Sequence, residues 1–306
     1  MGVRTFTAVI ASEHSGMRLD RLIADLWPEL SRKLAQRIIV AGGCYLDGRR
    51  RQVAATPAPA GGRLKVCVDP DQPFRTFRLE PSAILFEDDD LLVVDKPSGT
   101  PVALSATGQE GSVQRGAAEH LARAGAAHRP AVLHRLDQPT SGVLLFAKNE
   151  PAEKAVYELF RRGGVRKTYL ALVQPAPARS EGRIEAAIAR RVDRRNQYKV
   201  SRERGKASLT EYRRLGRGPD GTALLAVTPR TGRSHQIRVH LAWIGAPIAG
   251  DVLYGGAAHP AVFGLHARRL ELPHPRTNRP VAFAAPVPAA WLAAFPGIGK
   301  KTSAQV

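Results

Sequence analysis

The chain has 306 residues, 43% of them hydrophobic, and its 46 lysines and arginines against 27 acids give a formal net charge of +19. That apolar content can build a folded core and argues against wholesale disorder, and no stretch approaches the roughly 18 apolar residues of a membrane-spanning helix. A globular protein this basic is typical of those that bind polyanions, and nucleic acid is the first candidate. The alternative is a soluble protein with an unusual surface.

The cysteines and histidines predict neither disulfides nor a metal site. Cys44 and Cys67 are the two cysteines, with no CxxC pair, and the N-terminus lacks the layout of a signal peptide. We therefore expect a reducing cytoplasm and packing roles for both thiols. His235 and His240 are five residues apart, not the four that place two imidazoles on one helical face.

The first predicted elements form a small basic RNA-binding α/β module over residues 13–72. Apolar residues at helical spacing predict a helix that ends at Pro28, and Ser31 is expected to cap a second helix that stops at Gly42. The second helix carries a basic stripe, which we interpret as an RNA-binding face rather than an ordinary solvated face. Its residues are Arg32, Lys33 and Arg37.

From residue 84 onward, short apolar strands are separated by turns, with helical patterns between some of them. The predicted strands are 84–86, 91–94, 142–147, 169–173 and 223–227, and the predicted helices are 111–124 and 151–161. Strands and helices do not alternate strictly. We therefore predict an α+β catalytic domain over residues 80–295, with a mixed, largely antiparallel central sheet flanked by helices and an active-site cleft. Residues 296–306 are expected to form a flexible basic tail.

Two charged segments lie within this region. Residues 190–206 hold eight basic and two acidic residues, which indicates an exposed hairpin able to reach a phosphate backbone, or else a flexible loop with no partner. The acidic run at 87–90 precedes the strand that begins at Leu91. We interpret it as a charged turn rather than as a metal cluster.

The motif with the most specific pattern is HRLDQPTSGVLLFAKN at residues 134–149. Its Asp137 is predicted to lie on a turn just before an apolar strand, where the hydroxyls of Thr140 and Ser141 help to hold the loop. His134 and Arg135 beside it are candidate RNA contacts, so such an acid is placed to face a basic groove. An aspartate in a turn is more often structural, and its meaning depends on the longer motif.

The tripeptide of this motif also occurs once earlier in the chain. Arg18, a leucine and Asp20 repeat the order of Arg135, a leucine and Asp137, but without the residues that follow. We interpret Asp20 as an ordinary acid at the beginning of a helix. The longer pattern HRLDxxTSG resembles the signature of the RluA-like pseudouridine synthases, in which the aspartate is catalytic.

Further blocks in the same order resemble this family. They are the segments 84–102, 167–173 and 231–256, and the N-terminal module is similar to an RNA-binding domain named after a ribosomal small-subunit protein. The resemblance covers residues 17–290. It implies an RNA-modifying enzyme that isomerises uridine to pseudouridine.

The resemblance also implies roles for individual residues. Asp137 matches the catalytic aspartate, Tyr169 in KTYLALV matches the tyrosine that stacks on the target base, and Arg238 in HQIRVH matches the arginine that pairs with the aspartate. Arg135 matches an arginine that fills the gap left by the flipped nucleotide, although binding a phosphate is an alternative. Arg233 is a further candidate phosphate contact, on a segment that we predict to be a strand.

The chemistry suits these residue types. Isomerising uridine means breaking the bond between the ring nitrogen and the ribose, rotating the uracil and rejoining it through carbon 5. No electrons are lost and no group is imported, so we expect neither a metal nor another cofactor. Arg238 is expected to keep Asp137 charged in a dry pocket, because a nearby guanidinium favours the ionised carboxylate.

RNA is the expected partner, with large-subunit ribosomal RNA favoured over transfer RNA, and neither a membrane nor a protein partner is implied. We expect a monomer. Two other functions stay open: a catalytically silent RNA-binding or ribosome-assembly protein with the same fold, and a hydrolase of nucleotides or sugars with an aspartate nucleophile. The sequence leaves open which uridine is modified and how Asp137 acts on it.

Overall fold

The computed structural model describes residues 2–125, 129–193, 197–218, 220–259 and 262–294. The chain divides into two compact units. The first contains the residues up to 79 together with 100–125, and the second contains 80–99 and the residues that follow 125. The predicted tail at 296–306 lies outside the described residues.

The first unit is built on a four-stranded antiparallel sheet that shares its core with two helices. The strand order is β1-β4-β2-β3. Leu22 of the first helix and Ile38 of the second are fully buried. The elements in chain order are β1 (Arg4–Val9), α1 (Leu19–Leu26), α2 (Arg32–Ala41), β2 (Cys44–Leu46), β3 (Arg49–Arg51), β4 (Arg63–Val68) and α3 (Val113–Arg123).

Both predicted ends of α2 are confirmed. The hydroxyl of Ser31 accepts a hydrogen bond from the backbone N–H of Leu34 at 3.3 Å, which satisfies one of the open donors of the first turn. The helix ends at Gly42, whose φ of 103° is in the left-handed region that favours glycine.

The boundaries of the first unit differ from the predicted 13–72. Strand β1 lies before residue 13 and pairs with β4 along its whole length. Its residues are exposed or only partly buried, so the strand carries little hydrophobic signal. Residues 100–125 also join the unit: the side chain of Gln109 accepts from the N–H of Asp69 at 2.7 Å and donates to its carbonyl at 3.0 Å.

The second unit contains the remaining strands and α-helices of the described chain. Three short 3₁₀ helices are also present: Ser12–His14 in the first unit, and Pro81–Ala83 and Val252–Tyr254 in the second. The elements of the second unit are β5 (Ile84–Glu87), β6 (Leu91–Lys96), β7 (Ala131–Val132), β8 (Ser141–Ala147), α4 (Glu150–Arg162), β9 (Arg166–Val173), β10 (Glu181–Glu185), β11 (Ile188–Arg190), β12 (Tyr198–Val200), β13 (Leu209–Arg217), β14 (Ala223–Pro229), α5 (Gln236–Trp243), β15 (Leu265–Pro273), β16 (Pro280–Ala284) and α6 (Ala289–Ala294).

The main sheet of this unit has the order β10-β13-β14-β9-β15-β8-β6-β5, with β16 beside β15 and β7 beside β8. Every pairing is antiparallel except that of β15 with β8. The predicted α+β fold with a mixed, largely antiparallel sheet is therefore confirmed, as are the five strands and two helices predicted from residue 84 onward. Within the described ranges, no helix is both long and apolar enough to cross a membrane.

The parallel pairing joins two halves of the sheet through two residue pairs, His266 with Ser141 and Ala267 with Gly142. Gly142 has a φ of 108°, and a Cβ added there would lie 2.2 Å from the carbonyl oxygen of Ala267. Only glycine permits this close approach of the two backbones. It comes directly after the loop that carries Asp137.

The prediction of a strand at residues 231–238 was wrong. His235 adopts a φ of 56° and α5 begins at Gln236. The six residues from Gln236 to Leu241 are all buried. A helix buried on every side shows no alternation of polar and apolar faces, so the 3.6-residue period that identifies surface helices is missing.

Candidate active site

Asp137 lies on the loop between β7 and β8, and backbone contacts fix that loop. The N–H of Thr140 donates to the carbonyl of Asp137 at 3.0 Å and closes a turn. The ammonium group of Lys96, at the end of β6, donates to the carbonyls of Gln138 and Pro97, both at 2.9 Å. Lys96 is fully buried, and burial lowers its pKa to about 7. The Asp137 side chain itself is 25% exposed, so a rigid loop presents it to solvent.

Arg238 on α5 connects two carboxylates. Its Nη1 donates to Oδ2 of Asp137 at 3.1 Å, while Nε and Nη2 donate to Oδ2 and Oδ1 of Asp251 at 2.7 and 2.8 Å. The guanidinium lies 4.9 Å from the ring of Tyr254 and 5.3 Å from that of Phe263. Burial acts to lower the pKa of Arg238, but Asp251 and Asp137 outweigh it and the net pKa is raised. Arg238 is thus a permanent cation held in one orientation.

Tyr169 lies on β9, where it pairs with Val227 of β14 and Ala267 of β15. Burial, followed by the negative charge of Asp137, raises the pKa of its phenol well above the usual value. The ring therefore stays neutral at physiological pH and lies within electrostatic range of the carboxylate. A neutral, flat phenol can stack on a base and donate a hydrogen bond.

A histidine and a tyrosine complete the surroundings of the carboxylate. Nε2 of His235 is 3.9 Å from Oδ1 of Asp137, and its Nδ1 is 2.7 Å from the hydroxyl of Tyr254. That hydroxyl also accepts a hydrogen bond from the backbone N–H of Tyr198 at 3.0 Å. The structure thus brings Asp137, Arg238 and Tyr169 together with groups that sequence reasoning missed. The available signal was an acid and a tyrosine among the glycines of AGDVLYGG, where the acid is Asp251.

The RNA-contact candidates near the site differ in how they are placed. Arg135 and Arg233 are both exposed, and Nε of Arg233 donates to the carbonyl of Ala207 at 3.3 Å. His134 instead points into the protein, where Nε2 accepts from the N–H of Leu145 at 3.0 Å. Burial lowers the pKa of His134 to about 3, so its ring is neutral at physiological pH. We do not retain His134 as a phosphate contact.

The interpretation of Asp20 as an ordinary helix acid was wrong. Its carboxylate is fully buried in the first unit. It accepts hydrogen bonds from Arg18 at 2.9 Å, from Arg32 at 3.1 Å and from Gln36 at 2.8 Å. The bond from Arg18, which outweighs the opposing effect of burial, holds the pKa of Asp20 well below its usual range. Asp20 therefore joins the two helices of the unit.

The basic stripe of α2 is exposed as predicted. Arg32 uses its Nε to bind Asp20, and its side chain is still 54% exposed. The guanidinium of Arg37 lies 4.5 Å from the centre of the Phe74 ring. Lys33 projects from the same helix. The stripe is thus an array of cations, two of which are fixed in place by neighbouring side chains.

The acidic run at 87–90 forms a turn that contacts the residues just after the end of β15 at Pro273. Among the described residues, Asp88, Asp90 and His274 form a group whose potential ligand atoms lie within 4.8 Å of one another. Each has a protein partner: Asp88 accepts from the N–H groups of Asp90 and Leu91 and lies 2.8 Å from His274. Asp90 pairs with Arg276 at 2.7 Å. These bonds explain the acidic residues as parts of a structural turn.

Comparison with known proteins places this site in a family. A family profile described as RNA pseudouridylate synthase matches residues 90–243, which include Asp137, Tyr169 and Arg238. Ribosomal large subunit pseudouridine synthase D of Xanthomonas campestris is 35% identical over 297 residues, covering 92% of this chain and 88% of the relative. The protein of the same name from Zymomonas mobilis is 33% identical, covering 93% and 94% of the two chains.

Solved structures agree with the sequence relatives. Human RNA pseudouridylate synthase domain containing 1 is 29% identical, with a TM-score of 0.58 over 69% of this chain and 87% of the human chain. Human RNA pseudouridylate synthase domain containing 4 is 26% identical, with the same TM-score of 0.58 over 69% of this chain and 92% of the human chain. Over the matched part of the chain, the α+β architecture is therefore that of these human proteins.

Proposed function

The chain belongs to the RNA pseudouridylate synthase family, and from that premise we propose that Asp137 carries its isomerisation of uridine in RNA. One observation supports this most directly. Oδ2 of Asp137 is bound to Arg238, while its Oδ1 has His235 at 3.9 Å, which is longer than a hydrogen bond. A partly exposed carboxylate oxygen is thus available to a substrate atom.

The proposed reaction uses this oxygen on a base that has left its helix. The bond between N1 and the ribose breaks, the uracil turns, and carbon 5 is joined to the ribose, so the proton lost at carbon 5 balances the one gained at N1. Asp137 acts on the sugar or the ring as a nucleophile or a base. Arg238 offsets its negative charge, and we propose that Tyr169 stacks on the displaced uracil. Moving the target nucleotide out of its helix costs a few kcal/mol.

Asp137→Asn tests this assignment, because the amide keeps the shape and loses the nucleophilic and basic oxygen. We expect no release of tritium from RNA labelled at carbon 5 of uracil, and RNA affinity within several-fold of wild type. Asp89→Asn, on an exposed turn of the same unit, is the matched control and is expected to retain full activity. Substantial turnover by Asp137→Asn would show that another group carries the reaction.

Ribosomal RNA of the large subunit is the proposed substrate. The names of the relatives and the net charge of +19 support it, while transfer RNA is the alternative. A catalytically silent RNA-binding protein is the other candidate, and the presence of Arg238 and Tyr169 beside Asp137 argues against it. Mapping pseudouridine in cells that lack the protein tests all three: loss from large-subunit RNA is expected, loss from transfer RNA alone contradicts the proposal, and no loss favours the silent protein.

We propose that the stripe of Arg32, Lys33 and Arg37, in the module predicted at 13–72, binds the phosphates of that RNA, together with Arg135 and Arg233. Each phosphate contact releases counterions and adds about one to the slope of log affinity against log salt. Lys33→Ala is expected to lower that slope by about one, measured as RNA binding across a salt series. An unchanged slope would remove Lys33 from the binding face.

We also propose that the enzyme acts as a monomer in the cytoplasm without a cofactor. Two free, buried cysteines, Cys44 and Cys67, support a reducing compartment, and the balance of atoms and electrons in the isomerisation supports the lack of a cofactor. Sedimentation of the purified chain tests whether it is a monomer. Activity after dialysis against a chelator tests whether it works without a metal cofactor.

A further inference from the structure

A chain of polar contacts runs from the backbone of β12 to the catalytic carboxylate. The N–H of Tyr198 donates to the hydroxyl of Tyr254 at 3.0 Å, and that hydroxyl is 2.7 Å from Nδ1 of His235. The other ring nitrogen of His235 faces Oδ1 of Asp137 across 3.9 Å. Strand β12 pairs with β11, and we call these two strands the basic hairpin because from Arg190 onward they overlap the segment with eight basic residues. The contacts therefore join a positively charged surface element to the site.

The hydrogen bonds favour Nε2 as the nitrogen of His235 that carries the proton. A tyrosine hydroxyl has one hydrogen, and because it already accepts from Tyr198 it can give that hydrogen to Nδ1. Burial lowers the pKa of His235, so the ring is neutral. A neutral imidazole that accepts at Nδ1 carries its hydrogen at Nε2. That N–H is the one directed at Asp137.

The packing around these groups holds them in place. The ring of Tyr254 lies against the guanidinium of Arg238 at 4.9 Å, and the rings of Tyr198 and Tyr254 both meet His235 edge-on, with centroids at 5.2 and 5.6 Å. His235 also has a φ of 56°, in the left-handed region that residues with a Cβ rarely adopt. The fold retains this conformation at the residue that faces the carboxylate.

We propose that His235 and Tyr254 are a positioning pair that orients Oδ1 of Asp137 and links its orientation to the basic hairpin. The N–H of Tyr198 already holds the Tyr254 hydroxyl, and RNA seated on the hairpin would keep that strand, and through Tyr254 the ring of His235, in the orientation that directs Nε2 at Oδ1. Substrate RNA would then align the carboxylate that acts on it. This inference rests on the proposed catalytic role of Asp137, and neither His235 nor Tyr254 is required to touch the uridine.

Tyr254→Phe is the direct test, because it removes the hydroxyl and keeps the ring against Arg238. We expect the single-turnover rate constant at saturating RNA to fall about 10–100-fold, the equivalent of one lost orienting hydrogen bond, while the Kd for RNA stays within about twofold. Tyr157→Phe is the matched control. This tyrosine is exposed on α4, and its variant is expected to react at the wild-type rate.

A spectroscopic measurement separates orientation from general damage to the site. In protein labelled with ¹⁵N-histidine, the His235 signal, assigned by its loss in His235→Gln, is expected to show the hydrogen at Nε2. Tyr254→Phe is expected to give a mixture of the two tautomers. A signal unchanged by Tyr254→Phe contradicts the proposal even if the rate falls.

The remaining outcomes are distinct. Wild-type turnover by Tyr254→Phe, or a raised Kd with an unchanged rate, overturns the positioning pair and leaves the role of Asp137 intact, provided that Asp137→Asn is inactive. An active Asp137→Asn variant instead overturns the proposed function, whatever Tyr254→Phe does. A lower rate, unchanged Kd and mixed tautomers together support the inference.

Discussion

Replacing Asp251 with asparagine is expected to show how much of the site depends on one buried ion pair. Asp251 is 1% exposed and Arg238 is 5% exposed, and two of the three guanidinium hydrogen bonds go to Asp251. An amide of the same size keeps one acceptor oxygen, removes the charge, and turns an NH₂ group toward a donor. The Arg238 cation is then left buried with Asp137 as its remaining partner.

The expected loss follows from these contacts. Hydrogen bonds to charged groups contribute about 1.5–3 kcal/mol each, and breaking a buried ion pair by changing one partner costs about 3–5 kcal/mol. We therefore expect the free energy of unfolding of the second unit to fall by about 3–5 kcal/mol. A displacement of Arg238 also releases Asp137, and a misplacement of about 1 Å can lower a rate about 100-fold.

Urea unfolding at neutral pH, followed by intrinsic fluorescence in a Trp27→Phe background where the buried Trp291 reports on the second unit, measures the first effect, and single-turnover assays measure the second. Glu211→Gln is the control, since it breaks the exposed pair of Glu211 with Arg230 at 2.9 Å and is expected to cost at most about 1 kcal/mol. A loss of less than about 1 kcal/mol for Asp251→Asn would refute the reasoning, because Arg238 would then hold its place without this carboxylate.

Two further predictions concern β8, the strand that follows the loop with Asp137. Burial depresses the pKa of His134 to about 3, so between pH 6.5 and 3 the unfolded chain binds a proton that the folded chain does not. The free energy of unfolding therefore falls as the pH falls through that window, and His134→Gln is expected to lower this dependence by up to about 1.4 kcal/mol per pH unit in urea titrations; an unchanged pH dependence would contradict it. Gly142→Ala places a Cβ 2.2 Å from the carbonyl oxygen of Ala267, at a residue whose φ is 108°. Backbone strain and overpacking, each about 1–3 kcal/mol, are therefore expected to destabilise the fold. A melting temperature equal to that of the wild type would show that the two strands can separate without cost.

The fold was predictable from sequence wherever local pattern and tertiary burial agree. Helix α2 could be placed because Ser31 and Gly42 mark its ends, and β8 because its apolar run follows a turn motif. Helix α5 could not, because burial on all sides removes its period. Strand β1 was missed for the opposite reason: its exposed residues give no hydrophobic alternation, and its pairing with β4 is set by residues about 60 positions away.

The site was predictable only as far as its motifs reach. Asp137, Tyr169 and Arg238 were singled out by resemblance, and the structure brings them together, while their catalytic roles stay predictions. Asp251 and Tyr254 stand out locally only as an acid and a tyrosine among glycines, and each gains its role from what lies opposite in the fold. Asp20 shows the converse, since its short motif copies that of Asp137 while its burial gives it a structural role.

The two-residue seam between β15 and β8 bears on when the enzyme becomes active during its own synthesis. Asp137 precedes β8 on one side of the seam, whereas Tyr169 and Arg238 come from the other side, and the strand that joins the sides begins only at Leu265. A nascent chain that has left the ribosome as far as Tyr254 contains Asp137, Arg238 and Asp251 but lacks the strand that joins the two sides. We therefore expect catalytic competence to arise only after β15 has been made, so that an unfinished chain does not modify the RNA around it.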